Sequence, residues 1–197
     1  ADVFETYIVS ALSVMLLGSL LFGNISSVVE FPLLSGAVGV FASIVGSLFV
    51  RLTGGIMAGL YKGLVATAVI LIGLFYWITR SMAVGGISGV GLFWTLLIGI
   101  AVTALMVLVT DYYTSKKFSP VKKIAHASNT GHGTNIIAGL AVSMESTALP
   151  VLVIAGAMFL AYSIAGLYGI ALATMSMLSL TGLILAIDSF GPITDNA

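Results

Sequence analysis

The sequence contains no cysteine and very few charged residues. Without a thiol, neither a disulfide nor a thiolate metal site is possible. Only 7% of the 197 residues are charged and 59% are hydrophobic, whereas a soluble domain carries about 25% charged residues. So few charges could not cover a surface that faces water, and the composition therefore predicts a multi-pass protein of the lipid bilayer. The net charge of zero gives no indication of a nucleic-acid partner.

Six apolar segments follow one another, each close to the roughly 20 residues that cross a bilayer as a helix. They lie at residues 2–22, 31–52, 56–79, 91–113, 135–162 and 166–187. Because lipid cannot satisfy the open edge of a strand, we predict an all-α membrane protein with six transmembrane helices. Pro32 is expected in the first turn of the second helix, and Pro150 is expected to kink the fifth.

One long polar interval, residues 111–135, separates the fourth segment from the fifth. It holds both histidines and four of the seven basic residues, namely Lys116, Lys117, Lys122 and Lys123. By the positive-inside rule, residues 114–134 are predicted to form a cytoplasmic loop, with Arg51 and both chain ends on the same side. His126 and His132 are six residues apart with no cysteine nearby, so a zinc site is not indicated.

Five of the seven acidic residues are expected at or just inside the cytoplasmic membrane surface. They are Asp2, Glu5, Asp111, Asp188 and Asp195. Carboxylates at one level suit a cation that prefers oxygen ligands, Mg²⁺ or Ca²⁺, although the ends of membrane helices also carry charges for no other reason. Glu5 is the most informative, because a carboxylate within an apolar helix is costly and usually functional.

The first segment also carries a polar stripe. Asp2 and Glu5 are three residues apart and share one helix face, and Thr6, Ser10 and Ser13 extend it. Such a stripe either lines a path for water and ions or forms hydrogen bonds with a neighbouring helix.

Two further stretches carry isolated carboxylates. Asp188 and Asp195 frame DSFGPITDN, in which Gly191–Pro192 is expected to break the helix and expose backbone carbonyls beside both carboxylates. Glu145 lies ten residues into the fifth segment, where we expect it at mid-membrane depth. A structural bond to another helix or a subunit contact is favoured there over ion transport.

Four motifs taken together resemble the membrane-integral, ion-pumping pyrophosphatases. They are ADVFETY at 1–7, DYYTSKKFSPVKKIA at 111–125, SNTGHGTNIIAGLAVSMESTALPVLVI at 128–154 and DSFGPITDNA at 188–197. They occur in the family's order, and the resemblance covers the whole chain. It implies an internal fragment of a protein with about sixteen spans, from the sixth span to the start of the twelfth, which would be inactive by itself.

The resemblance implies a pump that hydrolyses Mg²⁺-bound pyrophosphate on the cytoplasmic side and moves H⁺ outward. It further implies a homodimer in the inner membrane of a prokaryotic cell. Asp2 and Asp195 resemble catalytic positions, Asp2 and Glu5 an ion gate, and Asp111, Asp188 and Asp195 metal ligands. The motifs GHGTN and DSFGPITDNA are more similar to those of the potassium-independent proton pumps.

Three alternatives remain at this point. Na⁺ is the alternative ion, although burial favours a protonated Glu5 beside Asp2 and therefore H⁺. A secondary transporter also uses broken helices and buried carboxylates, but the sequence shows no inverted repeat. A non-catalytic membrane subunit is the third hypothesis, and it would have no use for carboxylates gathered at one level.

Overall fold

The computed structural model describes the backbone of residues 2–23, 25–50 and 56–196, and the side chains within these ranges except those of residues 2–3, 56–57, 190–192 and 194–195. Most of the described residues are helical and none belongs to a β-strand, which confirms the predicted all-α membrane fold. The helices are α1 Asp2–Phe22, α2 Ser26–Ser47, α3 Ile56–Thr79, α4 Gly89–Thr114, α5 Ser119–Ser128, α6 His132–Ser146, α7 Ala148–Leu178 and α8 Thr181–Asp195. Arg51 lies outside the described residues.

Within the described ranges, five helical stretches are long and apolar enough to cross a membrane. The last, His132–Leu178, has 47 residues, about twice the length that one crossing needs. Non-helical backbone at Ala165 and Gly166 divides it, and Gly166 has φ 60° and ψ −149°, a combination that essentially only glycine adopts. Gly169 packs against the carbonyl of Ala161, which a straight helix would hold about 12 Å away, so the chain reverses here.

The first compact unit comprises Ala1–Ala101 and Leu160–Ala197. In it α2 packs against α1 and α3, and α8 packs against α2 and α3. The second part of α7 crosses α4 closely: the Ser176 hydroxyl donates to the Leu96 carbonyl at 2.6 Å, and Gly99 lies directly against the backbone of Ala173. Small residues at such crossings let helices approach in lipid, where the hydrophobic effect does not drive them together.

The second compact unit, Val102–Phe159, contains the end of α4, α5, α6 and the start of α7. The interval 114–134, predicted as a loop between spans, contains the short helix α5, which packs against α6. Pro120 begins the helix in a position that suits proline, and it is buried together with a half-buried stripe of Val121, Ile124 and Ala127. Apolar residues that recur every three positions favour an amphipathic helix. The neighbouring lysines make the segment polar overall, so this spacing was overlooked in the sequence.

Pro32 and Pro192 were expected at helix boundaries, but both lie inside helices. α2 begins at Ser26, so Pro32 lies inside the helix, buried, and not in its first turn. α8 continues through Gly191 and Pro192, so the predicted break between Asp188 and Asp195 is wrong. A proline removes a single backbone donor, and neighbouring helices can compensate for that loss in a membrane bundle.

The fifth predicted span is interrupted near Pro150. α6 ends at Ser146, Thr147 is a turn residue, and α7 begins at Ala148 with Pro150 in its first turn. Proline cannot donate the backbone bond to the carbonyl four residues earlier, which is that of Ser146. Ala148 to Ile164, about 25 Å of helix, is therefore separated from α6.

Candidate acidic site

The surface of α1 is divided into two faces. Val14 and Gly18 are buried, whereas Glu5, Thr6 and Ser13 are exposed. Glu5 and Val14 are nine residues apart, which places them on opposite sides of a helix. Asp2 begins the same helix and shares the face of Glu5. The predicted polar stripe therefore lies on the side of α1 that the other described helices leave open.

Glu5 is consequently an exposed carboxylate near one end of an apolar helix. No described side chain forms an ion pair with it. A carboxylate in a membrane span normally faces the interior of a bundle or a water-filled cavity, because exposure to lipid is too costly. The exposed side of α1 is thus suited to a wet path or to another polar helix.

Asp188 and Asp195 are both carried by α8, and Asp188 is exposed. Because the helix is continuous, their separation of seven residues puts them on one face, two turns and about 10.5 Å apart along the axis. They are therefore arranged in a line along a helix and do not surround a broken loop as the sequence had suggested.

A cleft of about 340 Å³ in the first unit is lined by the start of α1 and the start of α8. Phe4 and Tyr7 line it from α1, and Leu185 lines it from α8. Glu5 follows Phe4 directly, and Asp188 lies one turn beyond Leu185 on the same face. Both residues are thus close in sequence to residues that line the cleft, although neither lines it.

The remaining walls of the cleft come from α2 and the turn between α7 and α8, and the Ser43 hydroxyl donates to the Ser179 carbonyl at 3.5 Å. Sequence reasoning missed these lining residues. The signal that could have found them is the run of small residues Gly36, Gly39 and Ser43, which repeats at helical spacing on one side of α2.

Asp111 lies half-buried in the last turn of α4, in the second unit. Tyr112 follows it and stacks edge-on against Tyr113, with ring centroids 5.0 Å apart. The partial negative charge at a helix C-terminus opposes a carboxylate there by about 0.3–1 kcal/mol.

Glu145 is exposed at the end of α6, and its carboxylate lies within electrostatic range of the Tyr113 hydroxyl, in the last turn of α4. Between these two helix ends, α5 packs against α6. The expected structural or subunit contact of Glu145 stays a prediction.

The chemistry of these side chains suits a hard cation, since carboxylate oxygens are the ligands that Mg²⁺ prefers. Among the side chains that the structure describes, however, no three acidic or histidine groups gather into a metal site. Single carboxylates from this chain fit Mg²⁺ as contributors to a shared site, and they do not make a complete cage.

Comparison with known proteins gives a family match over the whole chain. The family model described as inorganic H⁺ pyrophosphatase matches residues 1–197. The K(+)-insensitive pyrophosphate-energized proton pump of Methanosarcina mazei is 46% identical over 207 residues, covering 100% of this chain and 30% of that protein. The pyrophosphate-energized proton pump 2 of Mycoplana dimorpha is 46% identical over 197 residues, covering 93% of this chain and 95% of that protein.

A third relative is the K(+)-insensitive pyrophosphate-energized proton pump 2 of Moorella thermoacetica, 44% identical over 210 residues. The match covers 100% of this chain and 31% of that protein. The chain thus spans about 30% of the length of the Methanosarcina protein and nearly all of the Mycoplana one.

Proposed function

Because this chain belongs to the inorganic H⁺ pyrophosphatase family, we propose that it forms part of a membrane pump that couples pyrophosphate hydrolysis to outward movement of H⁺. The observation that supports this proposal is the cleft that α1 and the start of α8 line together, with Glu5 next to Phe4 in sequence and Asp188 one turn beyond Leu185. A site for hydrolysis and a path for ions must adjoin in such a pump, and the two helices that line this cleft both carry carboxylates.

In this proposal, Asp111, Asp188 and Asp195 each donate a carboxylate oxygen toward Mg²⁺, and Asp2 and Asp195 are the catalytic carboxylates. Bound Mg²⁺ would neutralise the charge that develops on the phosphate oxygens during hydrolysis. The position of Asp188 and Asp195 on one continuous helix, two turns apart, supports the roles of these two residues.

Asp2 and Glu5 are the proposed ion gate. They lie three residues apart on one face of α1, and a carboxylate within an apolar membrane helix normally faces a wet path or a polar partner. The names of the Methanosarcina and Moorella relatives, K(+)-insensitive proton pumps, favour H⁺ and independence from potassium.

We further propose that the polar interval 114–134 with its four lysines lies on the cytoplasmic side of the cell membrane of a prokaryote, and that the pump is a homodimer. All four lysines of this interval are exposed, which suits the positive-inside rule. The C-terminal ends of α1 and α3, at Phe22 and Thr79, then face outward.

Acidification of sealed vesicles tests the proposal. A full-length pump carrying this segment should acidify the vesicle interior when pyrophosphate and Mg²⁺ are added in sodium-free, potassium-free buffer. Acidification that requires Na⁺, together with Na⁺ uptake, would assign the pump to sodium instead. Absence of any hydrolysis under either condition would reject the function altogether.

A further inference from the structure

The interval 114–134, between α4 and α6, carries positive charge and no negative charge. It contains Lys116, Lys117, Lys122 and Lys123 and neither aspartate nor glutamate. Asp111, in the last turn of α4, is the only acidic residue between Glu30 and Glu145. All four lysine side chains are exposed. The positive-inside rule explains which side of the membrane such lysines occupy, and it leaves open what their ammonium groups bind.

A tight turn after α4 brings the lysines together as two pairs. The backbone N–H of Phe118 donates to the Ser115 carbonyl at 3.2 Å, and that of Lys117 donates to the Ser115 hydroxyl at 3.4 Å. The first pair, Lys116–Lys117, thus lies at the tip of the turn that joins α4 to α5. The second pair, Lys122–Lys123, follows about 4.5–6 Å along the axis from the first residue of α5.

Aromatic rings fix the start of α5 beside the end of α4. The Tyr112 ring, in the last turn of α4, packs against the Phe118 ring with centroids 5.2 Å apart and against the Tyr113 ring with centroids 5.0 Å apart. Phe118 is the residue that directly precedes α5. The contact between Tyr112 and Phe118 therefore holds the second lysine pair close to the level at which α4 ends.

The end of α4 lies at the boundary between lipid and water. The helix has 26 residues, about 39 Å in length, whereas the hydrocarbon core of a bilayer is about 30 Å thick. It ends with two adjacent tyrosines, and tyrosine is enriched at the level of the lipid headgroups. Tyr112 and Phe118 are 39% and 37% exposed, so both rings present apolar surface next to the lysines. The ammonium groups are therefore close to the depth of the phospholipid phosphates.

α5 is an amphipathic helix that turns a basic face away from its packed side. The half-buried residues Val121, Ile124 and Ala127 lie on one side, and α5 packs against α6. Lys122 and His126 are two positions before and after Ile124, which places each about 160° around the helix from it. Both are exposed. The basic surface of the turn thus continues along the free side of α5.

We propose that the two lysine pairs, together with Tyr112 and Phe118, bind the headgroups of anionic phospholipids. Clusters of about four to eight basic residues beside a membrane helix or on an amphipathic helix attract anionic lipid, and each lysine near the surface strengthens the attraction about fivefold. The ammonium groups donate hydrogen bonds to the lipid phosphates. The two rings contact the part of the acyl chains nearest the headgroup, as aromatic side chains do at this level.

The exposure of the lysines favours lipid over a free phosphate ion as the ligand. A small ligand is normally held in a concave site where a few polar groups converge, whereas these lysines are spread over an exposed turn and the free side of a helix. A membrane surface presents many phosphates side by side, so separate lysines can each contact one. The exposed rings add a preference for a ligand that carries acyl chains.

Native mass spectrometry of a full-length pump carrying this segment, in neutral detergent, counts the bound lipids and measures their affinity. Dioleoyl phosphatidylglycerol is the anionic probe, and dioleoyl phosphatidylcholine has the same acyl chains and no net charge. Replacing all four lysines by glutamine should weaken phosphatidylglycerol binding at least about tenfold and leave phosphatidylcholine binding unchanged. Replacing all four by arginine keeps the charge and should retain the phosphatidylglycerol affinity of the parent.

Arg80→Gln is the control for loss of positive charge elsewhere, because Arg80 is an exposed basic residue after α3, in the first compact unit. It should bind phosphatidylglycerol as the parent does. Equal phosphatidylglycerol binding by the glutamine variant and the parent would overturn the proposal, and so would an equal loss of both lipids. Displacement of phosphatidylglycerol by an equimolar amount of inorganic phosphate would assign the lysines to a small anion instead. These measurements do not require hydrolysis, so they stand apart from the function proposed above.

Discussion

α4 and α7 cross so closely at Gly99 that this position has room for a hydrogen atom and not for a methyl group. A methyl group at Gly99 would collide with the Ala173 carbonyl oxygen and come within 2.8 Å of the Met177 nitrogen and the Ser176 Cβ. Two of these three atoms belong to the backbone, so no rotation of a side chain can relieve the collision. Gly99→Ala must therefore push the two helices apart.

The expected loss follows from the atoms involved. Overpacking typically costs about 1–3 kcal/mol, and separating the helices also weakens the bond from Ser176 to the Leu96 carbonyl, worth about 0.6 kcal/mol in a membrane. The better helix propensity of alanine returns up to about 1 kcal/mol. We expect Gly99→Ala to lower the free energy of unfolding by about 1–3 kcal/mol.

Titration of the purified chain with dodecyl sulfate in mixed micelles, followed by helicity and tryptophan fluorescence, measures the change. Gly73→Ala is the matched control, because Gly73 is an exposed helical glycine of α3 with nothing within 4 Å of an added methyl. The control should be as stable as the parent or up to about 1 kcal/mol more stable. Equal stability of the two variants would refute the reasoning from the crossing.

Three further predictions concern topology and the acidic site. A cysteine at Ser119 should react with an impermeant reagent from the cytoplasmic side and one at Ser88 from the outside, and the reverse pattern would overturn the orientation. Asp195→Ala in a full-length pump should abolish Mg²⁺-dependent pyrophosphate hydrolysis by removing an anionic ligand, while Lys116→Ala retains most of it; equal losses would mean that the site is misplaced. Glu5→Gln should reduce vesicle acidification more than it weakens pyrophosphate binding, and a parallel loss of both would contradict a role at the gate.

The sequence was most informative where hydrophobic length decides the structure. Long apolar runs must become helices in lipid, so α1, α3 and α4 begin and end close to the predicted segments. It was least informative in the interval around the lysines, where charge conceals the amphipathic spacing of α5.

The candidate site was predicted only as a list of carboxylates. The sequence could place Asp2 with Glu5, because helix periodicity relates residues three apart. It could not show that α1 and α8 share a cleft, because nothing local relates Phe4 to Leu185. It also misjudged Pro192, since the cost of a lost backbone bond depends on the surroundings of the helix.

The bond between Ser43 and Ser179 has a consequence for biosynthesis. These residues are 136 positions apart in the chain. At a synthesis rate of about 5–20 residues per second, the α2 surface formed by Gly39 and Ser43 is made roughly 7–27 s before the turn that covers it. During that interval α1, α2 and α3 can already pack against one another as neighbours, while the groove on α2 remains open to lipid. A nascent chain arrested before Ser179 should therefore hold the first three helices together and still lack one wall of the cleft.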